Sequence, residues 1–321
     1  MNTFDLGELL AEPKDNQDLW FRTEMTHRQF ASLAIKLNNT DIENEILNLN
    51  FFTHRLKKSK SFDLKEVEKW FVNSWNTENV LVHNRSIIEN TGQSFAMQWA
   101  FPQAYYSVFG SLLGHFKALG YTQESHNAVM NKFASLIEEK KLPDGIGFYC
   151  TGSKKDLEFI NITKPTDFHA IDFDITVKET IDNQICQFLK STREIKLIEK
   201  AIHLKYKNKP GEKNKYLNAA KWKIVSNSIG HTTILDLLYR KRIKANYQDI
   251  ETFSSVHFKG IEVLNNLCAI LNRLNLVNET YTAKAIGIEK YEEILQRHLM
   301  KVTNSSVEER YKTIKSIITS I

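Results

Sequence analysis

The feature that most constrains the fold is a run of apolar residues at steps of three and four between Phe101 and Leu119. On an α-helix this spacing produces one wide apolar stripe, as in a helix buried inside a bundle. Pro102 fits the first turn, where a backbone N–H has no intrahelical partner in any case. The stripe comprises Tyr105, Val108, Phe109, Leu112, Leu113, Phe116 and Leu119. The chain is therefore predicted to be built around a buried helix.

Helix breakers are scarce, with 12 Gly and 5 Pro in 321 residues. Helical spacing recurs near Phe133, Phe188, Leu238 and Leu267 and towards the C-terminus. Residues 142–177 differ, because turn residues are followed by the alternating segments EFINIT and HAIDFDITV. These segments predict either a small β-hairpin or an irregular lobe. The sequence thus predicts a mainly α protein with a small β-containing insertion.

The predicted organisation has two parts. Residues 1–80 form an N-terminal helical segment, and residues 81–321 form a helical domain with an insertion at about 142–220. The apolar helices, Tyr105–Leu119 above all, offer more apolar surface than one small bundle easily covers. Such surface tends to be buried against a partner, so we expect a homodimer.

Positive charge is concentrated between Gln187 and Val225. This segment has eleven Lys and Arg against three Glu, a net charge of +8, although the whole chain has only +5. Two interpretations stay open: a solvated helix face with a lysine-rich loop, or a surface that binds phosphate or nucleic acid. The second makes RNA the expected partner, with contacts at Lys205, Lys207, Lys209 and Lys213.

The composition and the absence of known motifs exclude several other classes of protein and site. Three cysteines, far apart and odd in number, exclude a disulfide scaffold and a four-cysteine zinc site, and they suit a reducing cytoplasm. No apolar run reaches 18 residues, so no membrane partner is expected. The chain has no P-loop, GxGxxG or HExxH motif, and we expect no cofactor and no metal. Asp167, Asp172 and Asp174 fit a half-exposed strand as well as a divalent-metal site.

Two blocks of sequence carry a resemblance to a known family. The first is AYYSVFGSLLGHFKALGYTQESHNAVMNKF, from Ala104 to Phe133, and the second is LDLLYRKRIKANYQDIETF, from Leu235 to Phe253. Together and in this order they resemble the HEPN domain family, in the branch with a paired-tyrosine helix and a later Arg…Asp-Tyr motif. Arg242, Asn246 and Tyr247 take the places of that motif, with asparagine in place of aspartate.

The chain departs from the family in two further ways. About 100 residues separate the blocks, where the family has a short connection. The R-x4-6-H signature of the ribonuclease-active members is missing, because no histidine lies four to six residues after Arg242.

The resemblance implies an up-and-down helical bundle that often dimerises, with links to RNA cleavage, toxin–antitoxin pairs and phage defence. Many members are inactive and act as scaffolds. The implied catalytic candidates are Arg242, Tyr247 and His126, with Asn246 as an RNA contact. Structural roles stay open for each: Arg242 as a cation at a helix C-terminus, His126 as a cap or a packing residue, and Tyr247 as a pin for the next turn.

Two functions follow from these observations. The first is a cytoplasmic HEPN-like protein of a prokaryotic conflict system that either binds RNA or cleaves it without metal. The second is a non-catalytic HEPN-like scaffold or antitoxin-like subunit that binds a partner protein encoded nearby. The basic segment favours the first function, and the missing R-x4-6-H signature favours the second.

Overall fold

The computed structural model describes residues 14–59, 61–91, 97–168, 175–207, 217–248, 250–254, 259–303 and 305–321. These residues form a mainly helical protein with one small sheet, as the sequence predicts. No described helix combines the length and the apolar character that crossing a membrane requires.

The described residues up to residue 138 contain the first five helices. These helices are α1 (Lys14–Asn38), α2 (Ile42–Asn48), α3 (Leu64–Thr91), α4 (Ala100–Ala118) and α5 (His126–Glu138). A π-helical turn at Phe51–Arg55 lies between α2 and α3, and a 3-10 turn at Met97–Trp99 directly precedes α4.

The second half adds the sheet and the remaining helices. The strands are β1 (Tyr149–Thr151), β2 (Glu158–Ile160) and β3 (Thr232–Thr233). The helices are α6 (Lys178–His203), α7 (Ala219–Asn227), α8 (Ile234–Ile243), α9 (Ile250–Ser254), α10 (Gly260–Ile286), α11 (Ile288–Leu299) and α12 (Ser305–Thr319). A π-helical turn, Lys244–Gln248, separates α8 from α9.

Helix α4 lies at the centre of the fold and packs against α3, α8 and α10. All its residues are buried except Gln103, Tyr106 and Lys117. At Gly114 the packing with α3 is so close that an added Cβ would lie 2.7 Å from a ring carbon of Phe71. The chain therefore covers the apolar stripe of α4 by itself, and this stripe gives no reason to expect a homodimer.

The N-terminal segment shares the core of the rest of the chain. Residue 80, the predicted boundary, lies inside α3, and Phe30 of α1 packs edge-to-face on Phe101 of α4 with ring centroids 5.2 Å apart. Helix α1 also packs along α6 and α10. The pattern at the N-terminus correctly indicates helices, but their apolar faces are buried against helices that come much later in the sequence.

The sheet is antiparallel in the order β2-β1-β3. Tyr149 pairs with Ile160 in the hairpin, and Cys150 pairs with Thr232 of β3. Strand β2 ends before the predicted segment EFINIT does, because Asn161 has a φ of +56°, which no regular strand accommodates. Most of the second predicted strand, residues 169–174, lies outside the described residues. Since β3 directly precedes α8, the sheet joins the predicted insertion to the central bundle.

A buried network of charged side chains joins four helices, α3, α10, α11 and α12. Arg310 of α12 donates to both carboxylate oxygens of Glu78, each at 2.9 Å, and to Oε1 of Glu279 at 2.8 Å. Trp75 Nε1 and the Tyr291 hydroxyl also donate to Glu279, at 3.1 and 2.6 Å. Burial of three charges is tolerated because each carboxylate accepts several hydrogen bonds.

Replacing Arg310 with leucine should lower the free energy of unfolding by about 3–5 kcal/mol, because two buried carboxylates lose their counter-charge. The matched control is Arg297→Leu. Arg297 also bridges two glutamates, Glu68 and Glu293, but it is about one-third exposed, and its loss should cost about 0–1 kcal/mol. Urea unfolding at pH 7 measures both. Equal losses would show that the buried network does not stabilise the fold.

His115 of α4 makes stability depend on pH. Its ring is buried with Nδ1 3.5 Å from Thr282 Oγ1, and burial lowers the pKa of His115 to about 3, with a smaller contribution from Lys132. Because the unfolded chain binds this proton more tightly, the contribution of His115 to stability is complete above pH 6.5 and falls as the pH drops towards 3. The loss at pH 4 should be about 3 kcal/mol.

This pH dependence is tested by urea unfolding at pH 7 and pH 4. His115→Gln should lose clearly less stability between the two pH values than the parent protein does. The control is His83→Gln, because His83 is exposed on α3. If the parent and His115→Gln lose the same amount, His115 is not the titrating group.

Candidate functional site

Arg242 lies among three tyrosine rings in the last turn of α8. Its guanidinium carbon is 5.0 Å from the ring centroid of Tyr106, 5.2 Å from that of Tyr239 and 5.5 Å from that of Tyr105. Helix α8 begins at a capping box in which Thr233 and Asp236 bond reciprocally. This cap fixes the start of the helix, and therefore the direction in which Tyr239 and Arg242, three residues apart, face α4.

His126 joins the cluster from the first turn of α5. Ser125 caps this helix by accepting a hydrogen bond from the backbone N–H of Ala128, so the cap is Ser125 and not His126. The His126 ring packs on Phe109 at 4.6 Å, and its Nδ1 shares a hydrogen bond of 2.8 Å with the Tyr105 hydroxyl.

The segment between α4 and α5 explains this position. Tyr121 packs on Phe116, and His126, five residues later, packs on Phe109, one residue before Gly110 on the same helix. The segment therefore runs back along α4 instead of turning sharply at its end. As a result, His126 lies near the tyrosine pair, while Arg242 reaches the same rings from α8.

The electrostatics of the cluster favour a neutral imidazole. Burial lowers the pKa of His126, and the positive charge of Arg242 lowers it further. Burial raises the pKa of Tyr105 well above its ordinary value, despite the opposing effect of Arg242. At neutral pH the cluster thus contains one fixed cation, one uncharged imidazole and a protonated phenol.

Three polar atoms of the cluster have no hydrogen-bond partner among the residues that the structure describes. They are Nε and Nη1 of Arg242 and Oδ1 of Asn246, and all three are buried. Asn246 lies four residues after Arg242 on the continuing π-helical turn, so both side chains project from neighbouring positions. Free guanidinium N–H groups bind anionic oxygens, and a neutral imidazole accepts a proton. The groups present are therefore those that can bind a phosphate and remove a proton beside it, and a phosphate reaches the two buried nitrogen atoms when the side chains that cover them move.

The other candidates that the structure describes do not contact the Arg242 cluster. Tyr247 is 72% exposed, and its side chain makes no hydrogen bond or ring contact with a described residue. Lys205 is exposed directly after α6, with a φ of +57°, and Lys207 is half-buried nearby. Lys209 and Lys213 lie outside the described residues.

The basic run RKRIK does not form one patch. Arg240 donates to the hydroxyls of Ser191 and Thr192 on α6, at 2.7 and 2.9 Å. Lys241 donates to Thr26 of α1 at 2.8 Å. Of the three successive cations on α8, Arg242 is the one that reaches the tyrosines.

Sequence reasoning missed Tyr239 as a site residue. A signal was present, because Tyr239 and Arg242 are three residues apart on a helix and share a face. The acidic group Asp167, Asp172 and Asp174 cannot be assessed as a unit, since Asp172 and Asp174 lie outside the described residues. Within the described ranges, no three His, Cys, Asp or Glu side chains lie close enough together to hold a metal ion.

Comparisons with family models, with curated proteins and with solved structures found no match to this chain.

Removing the positive charge of Arg242 should raise the pKa of His126, because the nearby guanidinium disfavours protonation of the imidazole. The change to make is Arg242→Gln, and the measurement is an NMR titration of the His126 ring protons. Arg240→Gln is the control, since Arg240 points towards α6. An unchanged pKa of His126 in Arg242→Gln would show that the two groups are not coupled.

Proposed function

We propose that this protein is a HEPN-like cytoplasmic RNA-binding protein of a prokaryotic conflict system, and that it cleaves RNA without a metal. The observation that carries the proposal is the Arg242 cluster, in which a guanidinium with two unpaired buried nitrogen atoms lies beside a neutral histidine. The mainly helical fold and the two family-like blocks are consistent with it. Both blocks contribute to the cluster, with Tyr105 and His126 from the first and Arg242 from the second.

The Arg242 cluster contains an arginine and a histidine even though the chain lacks the R-x4-6-H signature. That signature brings an arginine and a histidine together from one stretch of helix. Here the histidine comes from α5 and the arginine from α8, and both contact the rings of Tyr105, Tyr106 and Tyr239. The same pair of chemical groups is thus assembled by the fold rather than by spacing in the sequence.

The chemistry assigned to the pair is transesterification. In the tautomer that acts as the base, Nδ1–H of His126 donates to the Tyr105 hydroxyl oxygen, which leaves the unprotonated Nε2 to accept the proton of a ribose 2′-hydroxyl. The 2′-oxygen attacks the adjacent phosphorus, and the P–O5′ bond breaks. Water protonates the departing 5′-oxygen. The planar fork of Arg242 stabilises the added negative charge on the phosphoryl oxygens. The products are a 2′,3′-cyclic phosphate and a 5′-hydroxyl.

The basic segment supports RNA as the substrate. Some of its cations are engaged within the protein: Lys196 pairs with Asp236, and Arg193 is buried against backbone carbonyls. Others, such as Lys205, are exposed. Exposed cations add affinity for a phosphate backbone without reading its sequence.

The test is cleavage of a single-stranded RNA in EDTA, with the product ends identified. We expect the parent protein to form 2′,3′-cyclic phosphate ends. Arg242→Lys and His126→Gln should each reduce the rate by on the order of 100-fold, because each removes a group that acts in the transition state. Arg240→Lys is the control and should remain active.

Thermal unfolding of the same variants separates catalysis from structure. A functional Arg242 predicts an almost unchanged melting temperature in Arg242→Lys. A structural hydrogen-bonded knot predicts a loss of about 1–3 kcal/mol instead. RNA that stays intact with the parent protein would contradict cleavage and favour the non-catalytic scaffold, which the missing local signature also favours.

A further inference from the structure

Three aromatic side chains are exposed next to the Arg242 cluster. Tyr247 is 72% exposed, Trp99 is 54% exposed and Tyr106 is 36% exposed. Large aromatic side chains are normally buried, and single exposed ones need no explanation. Several on adjoining elements beside an unpaired cation do need one.

The fold brings these three residues to one end of the bundle. Trp99 precedes α4, and Tyr106 lies seven residues later, which is two helical turns and about 10 Å along the axis, so both lie on the same face. The Met97–Trp99 turn packs beside the Lys244–Gln248 turn that carries Tyr247. Tyr106 also connects the group to Arg242, since its ring is the one nearest the guanidinium.

We infer that these three side chains, which we call the aromatic surface, stack the unpaired bases of a single-stranded RNA whose phosphate is bound by Arg242. The inference rests on the proposed function and names the form of RNA that the site accepts. Exposed aromatic rings bind base faces of any sequence, and the neighbouring guanidinium supplies the phosphate contact. In a duplex the base faces are covered by their neighbours, so a duplex cannot use this surface.

Binding is best measured with a 2′-O-methylated single strand of ten nucleotides, because it lacks the 2′-hydroxyl and cannot be cleaved. Fluorescence anisotropy then gives Kd at several salt concentrations. Trp99→Ala and Tyr247→Ala should each weaken binding about tenfold, within the range for loss of one stacked base. Trp99→Phe should retain most of the affinity. Met300→Ala removes another exposed apolar side chain, on the loop after α11, and is the control.

The salt dependence distinguishes stacking from phosphate contact. Trp99→Ala and Tyr247→Ala should leave the slope of log Kd against log salt unchanged, because they remove no phosphate contact. Arg242→Gln should reduce that slope by about 0.7, the value for one phosphate on a single strand. Annealing the strand to its complement should abolish the difference between the parent and Trp99→Ala.

The outcomes separate the two proposals. If Arg242→Gln weakens binding while Trp99→Ala and Tyr247→Ala bind like the parent, the aromatic surface is not a base-binding site and the proposed function stands. If Arg242→Gln binds like the parent, or the parent does not bind RNA, the proposed function fails and the inference fails with it. A salt slope that falls in Trp99→Ala would also overturn the stacking role.

Discussion

The ion pairs of Arg310 with Glu78 and Glu279 are the interaction on which the rest of the structure depends. They connect α12 to α3 and α10, two of the helices that enclose α4. The network continues to α4 itself, because Nδ2 of Asn275 donates to Glu78 Oε2 and to Ser107 Oγ, both at 3.1 Å. Ser107 is two residues from Tyr105. Two of the three tyrosines that surround Arg242, Tyr105 and Tyr106, are therefore held by a helix whose position is fixed from its opposite side by buried polar bonds.

Periodicity predicts most of the helices, because a three-four pattern depends on one segment alone. The stripe before Leu119 becomes α4, and the apolar series around Leu267 becomes α10, extended to Ile286. Partners of a helix do not follow from its own pattern. The spacing around Phe30 predicts an amphipathic helix, but it does not specify that Phe30 packs on Phe101. Strand β3 has two residues, too few for any alternation to be recognised.

For the same reason, only part of the candidate site could be predicted from the sequence. Arg242 and His126 were singled out by family-like blocks, and the structure brings them to the same rings. Their proximity depends on the path of residues 119–125 along α4, which no periodicity encodes. No pattern in the sequence singles out Trp99, because its exposure is a property of the folded surface. The sequence of the basic segment shows its net charge but not which of its cations are buried. Arg193, which is buried against neutral acceptors, could therefore not be distinguished from the exposed Lys205.

Because the residues of the cluster come from separate elements, no fragment cut between α6 and α8 contains all of them. Tyr105, His126 and Arg242 come from α4, α5 and α8, with the sheet, α6 and α7 between the last two. A fragment that ends within the lysine-rich stretch after α6 retains the tyrosine pair and the histidine but lacks the cation. The complementary fragment has the cation without the histidine. Separating the two fragments would thus remove the site, and restoring it would require that they associate again.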